Sequence, residues 1–75
     1  MSETLTYHVF PNDSTGGWTV SRETHAEPLA DFASLEDALT FARRECQRFG
    51  MADLVVHDAA GNIERTEQAI MPRHG

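Results

Sequence analysis

The clearest hydrophobic pattern in the chain lies between Ser34 and Gly50. When successive residues are placed at about 100° intervals, the apolar ones collect on one stripe and the polar ones point away, as in an amphipathic helix. The stripe consists of Leu35, Ala38, Leu39, Ala42, Cys46 and Phe49. Ser34 is a typical N-cap with Asp37 three positions later, and Gly50 can adopt the left-handed conformation that ends a helix. The pattern therefore predicts one helix over this stretch.

Shorter segments on either side of the helix alternate between apolar and polar residues, which is the periodicity of β-strands. The predicted strands comprise residues 5–10, 18–22, 29–32, 52–57 and 62–68. The first two are joined by a run of turn-forming residues and read as a hairpin. The third is short and leads into the helix.

Three local signals indicate where these strands lie in a sheet. Pro11 has no backbone N–H, so the first strand is expected to end there or to lie at an edge. The strand at 52–57 is apolar on both faces, which is typical of a central strand, whereas the last strand is polar apart from Ile63, which is typical of an edge. Between them, Asp58 to Gly61 predicts a type I turn with glycine in the left-handed position, followed by a bulge.

The order strand, strand, short strand, helix, strand, strand indicates an α+β fold. The simplest architecture is a mostly antiparallel sheet of four to five strands with one helix packed on one face. If the strands before and after the helix are parallel in the same sheet, their connection is a crossover, expected to be right-handed. Alternation assigns to the helix-facing side Leu5, Tyr7, Val9, Trp18, Val20, Leu54, Val56 and Ile63.

The chain of 75 residues is long enough for one small domain. We expect residues 5–68 to form that α+β domain, residues 1–4 to be a frayed end and residues 69–75 to be a disordered tail. A single sheet covered by a single helix buries a modest core at this size. Self-association into a dimer is the simplest way for such a domain to complete its core.

Composition narrows the classes of function. The formal net charge is −6, so phosphate backbones and anionic membranes repel the domain, which disfavours nucleic-acid and membrane partners. Cys46, the one cysteine, lies on the apolar stripe and is interpreted as a small buried hydrophobe rather than a catalytic thiol. The N-terminal residues have neither the basic region nor the long apolar run of a targeting segment, so we expect a reduced, cytoplasmic compartment.

Several short signatures occur in a definite order along the chain. They are Tyr7-His8-Val9 with Pro11, Gly17-Trp18-x-Val20, a helix with Ala38 and Ala42, and Leu54-Val55-Val56-His57 with Gly61-x-Ile63. Together they resemble the bacterial domain-of-unknown-function family DUF2188, from about residue 7 to about residue 66. The chain departs from the family pattern in its acidic balance, its longer polar turn before Gly16, and the basic run after the tryptophan, of which Arg22 remains. The resemblance implies a fold and a bacterial cytoplasmic setting, and supplies no catalytic residues, because the family has no established activity.

Alternation places His8 and His57 on the sheet face away from the helix, beside Phe10 and Val55. If their strands pair, the two histidines lie close together. Such a pair is compatible with a metal pair, with a pH-sensitive interface, or with two ordinary histidines on a half-exposed sheet face. A metal site needs a third ligand and alternation turns Asp58 away, so we assign no metal and no other cofactor. These two histidines, Phe10 and Val55 are the predicted interaction face.

A basic patch on the outer helix face, formed by Arg43, Arg44 and Arg48, carries the alternative interpretation. With Trp18 as a stacking platform, the patch is a candidate nucleic-acid contact. The same residues can also be explained without a ligand. The arginines then lie in solvent near the end of the helix, where the helix dipole favours positive charge, and Trp18 packs in the core.

No catalytic motif is visible in the sequence. Gly16-Gly17 precedes a strand rather than a helix with a lysine, and no Ser-His-Asp or Cys-His motif is present. We therefore predict a non-enzymatic interaction module, without a cofactor, that contacts an unknown protein partner or a second copy of itself. The alternative function is a nucleic-acid-binding domain that uses the outer face of the helix.

Overall fold

The computed structural model of the protein describes residues 5–24, 27–49 and 52–68. These residues form the elements in the predicted order: β1 (Leu5–Asn12), β2 (Gly17–Arg22), β3 (Ala30–Phe32), α1 (Leu35–Phe49), β4 (Ala52–His57) and β5 (Ile63–Gln68). The expected frayed end and disordered tail lie outside the described residues. The hydroxyl oxygen of Ser34 accepts a hydrogen bond from the backbone N–H of Asp37 at 3.2 Å, which is the predicted N-cap of α1.

The five strands form one mixed sheet in the order β3-β2-β1-β4-β5. β1 and β4 are parallel, and the other neighbouring strands are antiparallel. β3 therefore runs parallel to β4, with β2 and β1 between them, and α1 crosses the sheet to connect the two. The structure confirms the predicted α+β class, with a mostly antiparallel sheet and the helix on one face.

The hydrophobic core lies between α1 and the face of the sheet that it covers. On the helix, Ala38, Ala42 and Cys46 are fully buried, and their small size lets the helix approach the sheet closely. The buried residues that the sheet contributes are Tyr7, Val9, Val20, Ala52, Leu54 and Val56. Trp18 is partly buried and packs against the same core. The apolar stripe and the strand alternation thus meet as predicted along β1, β2 and β4.

The prediction that Ile63 faces the helix is wrong. Ile63 pairs with His57, on the opposite face of the sheet, and is 64% exposed. The cause is the register shift between Val56 and His57, where β5 carries one extra residue, Glu64, that has no cross-strand partner. One extra residue reverses the alternation of a strand, so Ile63 moves from the covered face to the uncovered one.

The predicted turn before this bulge is present. The backbone N–H of Gly61 donates to the carbonyl oxygen of Asp58 at 2.9 Å, and the N–H of Asp58 donates to the carbonyl oxygen of Asn62 at 2.7 Å. Gly61 has a φ of 90°, a left-handed conformation that glycine adopts without steric cost. The sequence predicts both the turn and the bulge. The bulge places Ile63 on the uncovered face of the sheet.

β1 continues past Pro11, where the sequence predicts that it ends or lies at an edge. Pro11 pairs with Trp18 and Asn12 pairs with Gly17, whereas the parallel ladder to β4 stops at Val9. Of the two predicted alternatives, the strand does not end at Pro11 but lies at an edge there. This last part of β1 has a neighbouring strand on one side only, which is a local edge where a residue without an N–H is tolerated.

Replacing Leu54 with alanine tests where the core lies. Leu54 is 1% exposed. Its truncation leaves a cavity beneath α1, so we expect the free energy of unfolding to fall by about 2–5 kcal/mol. Urea denaturation followed by circular dichroism measures this change. The matched control is Ile63→Ala on the exposed side of β5, expected to change stability by less than about 0.5 kcal/mol. Similar losses in both variants would contradict the described position of Ile63.

Candidate functional site

The sheet face that α1 does not cover, the open face, is built from alternate residues of neighbouring strands. Directly paired residues point to the same side of a sheet. The residues that share the open face by this criterion include Thr6, His8, Phe10, Asn12, Thr19, Ser21, Asp31, Asp53, Val55, His57, Ile63 and Thr66. All four residues of the predicted interaction face are among them. Whether they contact a partner stays a prediction.

His8 and His57 contact each other on the open face. Nδ1 of His8 lies 3.1 Å from Nε2 of His57, and the two ring centroids are 5.4 Å apart. The contact follows from the parallel pairing of β1 with β4, in which His8 lies opposite Val55. His57, two residues after Val55, is then the diagonal neighbour of His8 on the same face.

Each histidine has a second partner at its other ring nitrogen. Nε2 of His8 lies 2.9 Å from Oε1 of Glu23, and Nδ1 of His57 lies 3.2 Å from the carbonyl oxygen of Gly61. We call this arrangement of Glu23, His8, His57 and Gly61 the histidine row. All four ring nitrogens have partners within the row.

A shallow depression of about 390 Å³ lies beside the histidine row. Its lining residues are His8, Phe10, Pro11, Asp13, Ser21, His57, Ala59, Ala60 and Gly61. The ring of Phe10 packs edge-on against His57, with 6.2 Å between the centroids. The depression thus combines an aromatic wall, the two imidazoles and a carboxylate, and is large enough for a single side chain or a small ligand.

A second polar network occupies the β3 side of the open face. The Thr19 hydroxyl donates to Oδ1 of Asp31 at 2.6 Å, and Nδ2 of Asn12 donates to Oγ1 of Thr19 at 3.0 Å. Thr19 is only 4% exposed, so these hydrogen bonds compensate the burial of its hydroxyl. The network holds the Asp31 carboxylate in a defined position through neutral donors.

The charged residues of the described chain are divided between the two sides of the sheet. The arginines lie on α1 or on the helix-facing side, and are Arg22, Arg43, Arg44, Arg48 and Arg65. The open face and the rim of its depression instead carry the carboxylates Asp13, Glu23, Asp31 and Asp53. Because no arginine of the described residues lies on that side, the open face presents negative charge to solvent.

Comparison with protein families finds a match for most of the chain. The model of the family described as "Uncharacterized protein conserved in bacteria (DUF2188)" matches residues 7–68. The chain belongs to the DUF2188 family. This confirms the resemblance drawn from the short signatures, and the match includes β2 to β5 and the part of β1 from Tyr7 onwards. Comparison with the curated proteins found no match, and comparison with the solved structures found none either.

The residues of the alternative nucleic-acid contact are engaged within this DUF2188 protein. Trp18 packs against the core on the helix-facing side. Arg43 donates to both carboxylate oxygens of Glu67, at 3.0 and 2.8 Å, and Arg48 pairs with Glu45 at 3.2 Å. Two of the three helix arginines therefore have carboxylate partners, which lowers the charge that they offer to a phosphate. The nucleic-acid contact stays a prediction that the geometry does not favour.

Cys46 of the DUF2188 protein is buried, and its environment makes the thiol unreactive. Burial raises the pKa of its thiol to about 11, with a further contribution from the nearby carboxylates of Asp53, Glu45 and Glu67. At neutral pH the group is therefore a protonated thiol, which is a poor nucleophile and a poor metal ligand. This agrees with its interpretation as a packing residue.

Two structural findings bear on metal binding and on membranes. Across residues 5–24, 27–49 and 52–68, no group of three or more His, Cys, Asp or Glu side chains is placed to hold a metal ion. Over the same ranges, no helix has the length and apolar character needed to cross a membrane.

Sequence reasoning missed Glu23 as a member of the site. Glu23 directly follows the predicted strand at 18–22, so the alternation of that strand does not include it. In the antiparallel register, however, Ser21 lies opposite His8, so Glu23 two residues later is on the same side of the sheet and within reach of His8. Extending the alternation of β2 by two positions is the signal that would have found it.

The ion pair between α1 and β5 predicts a pH-dependent stability. Hydrogen bonds from Arg43, and then from Arg65, lower the pKa of Glu67 to about 2. Because this pKa lies below that of the unfolded chain, the stabilisation is present above about pH 4.5 and is lost as the pH falls towards 2. Since both partners are partly exposed, we expect Glu67→Gln to lower the free energy of unfolding by about 1 kcal/mol near neutral pH.

Urea denaturation at a series of pH values measures this effect. The difference between Glu67→Gln and the wild type should shrink as the solution is acidified below about pH 4.5. Arg43→Gln is the control for the pair, and combining it with Glu67→Gln should cost no more than Glu67→Gln alone, because Glu67→Gln already removes the contacts with Arg43 and Arg65. A difference that is constant down to low pH would mean that Glu67 acts through packing and not through its charge.

The buried thiol gives a second check on the structure. In the folded protein we expect Cys46 to react with an aromatic disulfide reagent only as fast as the chain opens, because the thiol is both inaccessible and protonated. Absorbance at neutral pH follows the reaction, and the protein in concentrated urea gives the rate for the accessible thiol. Equal rates in the two conditions would show that α1 does not cover Cys46.

Proposed function

We propose that this DUF2188 protein is a non-enzymatic interaction module whose open face binds a positively charged segment of a partner protein. The observation that carries the proposal is the division of charge, with carboxylates on the open face and arginines on the other side of the sheet. Opposite charge raises the rate of encounter and selects against acidic partners.

The depression beside the histidine row supports a protein segment as the ligand. Its wall is the ring of Phe10 and its rim carries Asp13, so an arginine or lysine side chain can lie against the ring with its charge near the carboxylate. Cations of this kind are attracted to aromatic faces, and more strongly where solvent is partly excluded. Asp31 and Asp53 extend the negative surface to either side, along a length that an extended segment can follow.

The arrangement of the site supports a binding role rather than catalysis. Ser21 lines the depression next to His8, but the ring nitrogens of His8 face Glu23 and His57. No imidazole nitrogen of the row faces the Ser21 hydroxyl, so no base is positioned to take its proton, which a serine nucleophile requires. Cys46 offers no alternative nucleophile because it is buried and protonated.

Two other partners receive less support from the geometry. A second copy was expected because a small core needs completion, yet the stripe of α1 is already covered by the sheet at Ala38, Ala42 and Cys46. Nucleic acid would have to displace the carboxylate partners of Arg43 and Arg48. The cytoplasmic setting expected from the sequence stays a prediction.

A nitrogen–proton NMR titration with a basic peptide tests the proposal. The probe is an extended ten-residue peptide of alternating arginine and threonine, and its counterpart carries glutamate in place of arginine. We expect saturable shifts of open-face amides, such as those of Thr6, Phe10 and Val55, with the basic peptide at low salt. The shifts should weaken at higher salt, because the attraction is screened. The acidic peptide should produce none.

A pair of charge-removing variants makes the test specific. The double variant Asp13→Asn with Asp53→Asn removes two charges from the open face. Its affinity for the basic peptide should fall at least about fivefold through loss of electrostatic attraction. Glu36→Gln with Asp37→Asn removes two charges from the first turn of α1 and should change the affinity less than about twofold. Equal losses in both variants would show that only net charge matters and would overturn the proposed site.

Three other results would also overturn the proposal. One is a rotational correlation time of a dimer with the open-face amides at the interface, since a second copy would then occupy the face. Another is a salt-dependent shift of α1 amides with a short oligonucleotide, which would favour the nucleic-acid alternative. The third is the absence of any shift with the basic peptide at millimolar concentration.

A further inference from the structure

The outer nitrogens of the histidine row determine where its protons are. Nε2 of His8 faces a carboxylate oxygen of Glu23, and Nδ1 of His57 faces the carbonyl oxygen of Gly61. A carboxylate and a carbonyl oxygen accept hydrogen bonds and donate none. Both outer nitrogens must therefore carry a hydrogen.

When both imidazoles are neutral, the inner nitrogens are left without one. A neutral imidazole has a single N–H, so with the outer positions protonated, Nδ1 of His8 and Nε2 of His57 each present a lone pair. These two atoms are 3.1 Å apart. Two lone pairs that face each other at this distance repel, unless a positive ion lies between or beside them.

We propose that His8 and His57 form a binding site for a borderline transition-metal ion such as Zn²⁺. Zinc binds imidazole nitrogen at about 2.0–2.1 Å, which separates two nitrogens of a tetrahedral site by about 3.3 Å. The observed 3.1 Å differs from that separation by a small movement of two side chains that are partly open to solvent.

The outer partners of the two rings are those that metal-binding histidines usually have. A ligating histidine commonly donates its other N–H to a carboxylate or to a backbone carbonyl, which fixes the ring orientation and makes the ligating nitrogen more basic. Glu23 does this for His8 and Gly61 does it for His57. The negative charge of Glu23 further favours a cation at the pair.

The depression supplies the remaining coordination positions. It opens onto both imidazoles and has Asp13 on its rim, so water molecules can complete the shell of the ion. Two protein ligands indicate reversible binding with an open coordination position, unlike the closed four-ligand sites that hold a fold together. Nitrogen ligands also select against Mg²⁺ and Ca²⁺, which prefer oxygen.

Titration of the metal-free full chain with zinc chloride tests the site without any peptide, and so independently of the proposed partner. Calorimetry should show saturable binding of one ion per chain, and NMR spectra of the imidazole rings should show the signals of His8 and His57 shifting together. Magnesium chloride at the same concentration should leave those signals unchanged. Zinc that leaves both rings unaffected at millimolar concentration would overturn the proposal and mean that the pair holds only a proton.

Substitutions separate this site from other zinc-binding groups. His8→Gln and His57→Gln should each lower the affinity for zinc at least about tenfold. Glu23→Gln should lower it by about tenfold, because the outer hydrogen-bond partner of a ligating histidine contributes that much to metal affinity. The matched control is His74→Gln, the same substitution at another histidine of the chain, which should keep the wild-type affinity. Dispersed amide spectra verify that each variant is folded. An affinity that survives in both His8→Gln and His57→Gln, or is lost in His74→Gln, would place the ion elsewhere.

Discussion

The parallel pairing of β1 with β4 is the contact on which the rest of the structure depends. Two parallel strands cannot be joined by a tight turn, so the chain between them returns through α1. The helix then covers one face of the sheet and buries the apolar sides of β1, β2 and β4. The same pairing sets His8 and His57 as diagonal neighbours on the face that remains uncovered.

The two faces of the sheet are stabilised by different means. The covered face is apolar and is packed with small helix residues against larger strand residues, which maximises close contact. The open face instead arranges polar groups in two networks, the histidine row and the contacts of Thr19 with Asp31 and Asn12. With the arginines on the other side, this face is ordered and negatively charged, which is why both of its proposed ligands are cations.

Most of the local structure of this DUF2188 protein was predictable from short-range patterns. The helix stripe, the Ser34 cap and the turn at Gly61 each depend on residues within a few positions of one another, and the structure confirms each of them. One expectation went wrong at a point where a distant strand intervenes, because a bulge against β4 moved Ile63 to the other face. At Pro11 the sequence left two alternatives open, and pairing with β2 decided for an edge rather than a strand end.

The sequence by itself determined the order of the elements, the α+β class and the face on which His8, Phe10, Val55 and His57 lie, because alternation and helical periodicity are local properties. Only the tertiary structure decided that the two histidines touch, that Glu23 and Gly61 complete their row, and that the arginines of the described residues lie away from the carboxylates of the open face. Those facts depend on which strands are neighbours and in which register, and strand pairing joins residues that are far apart in the chain.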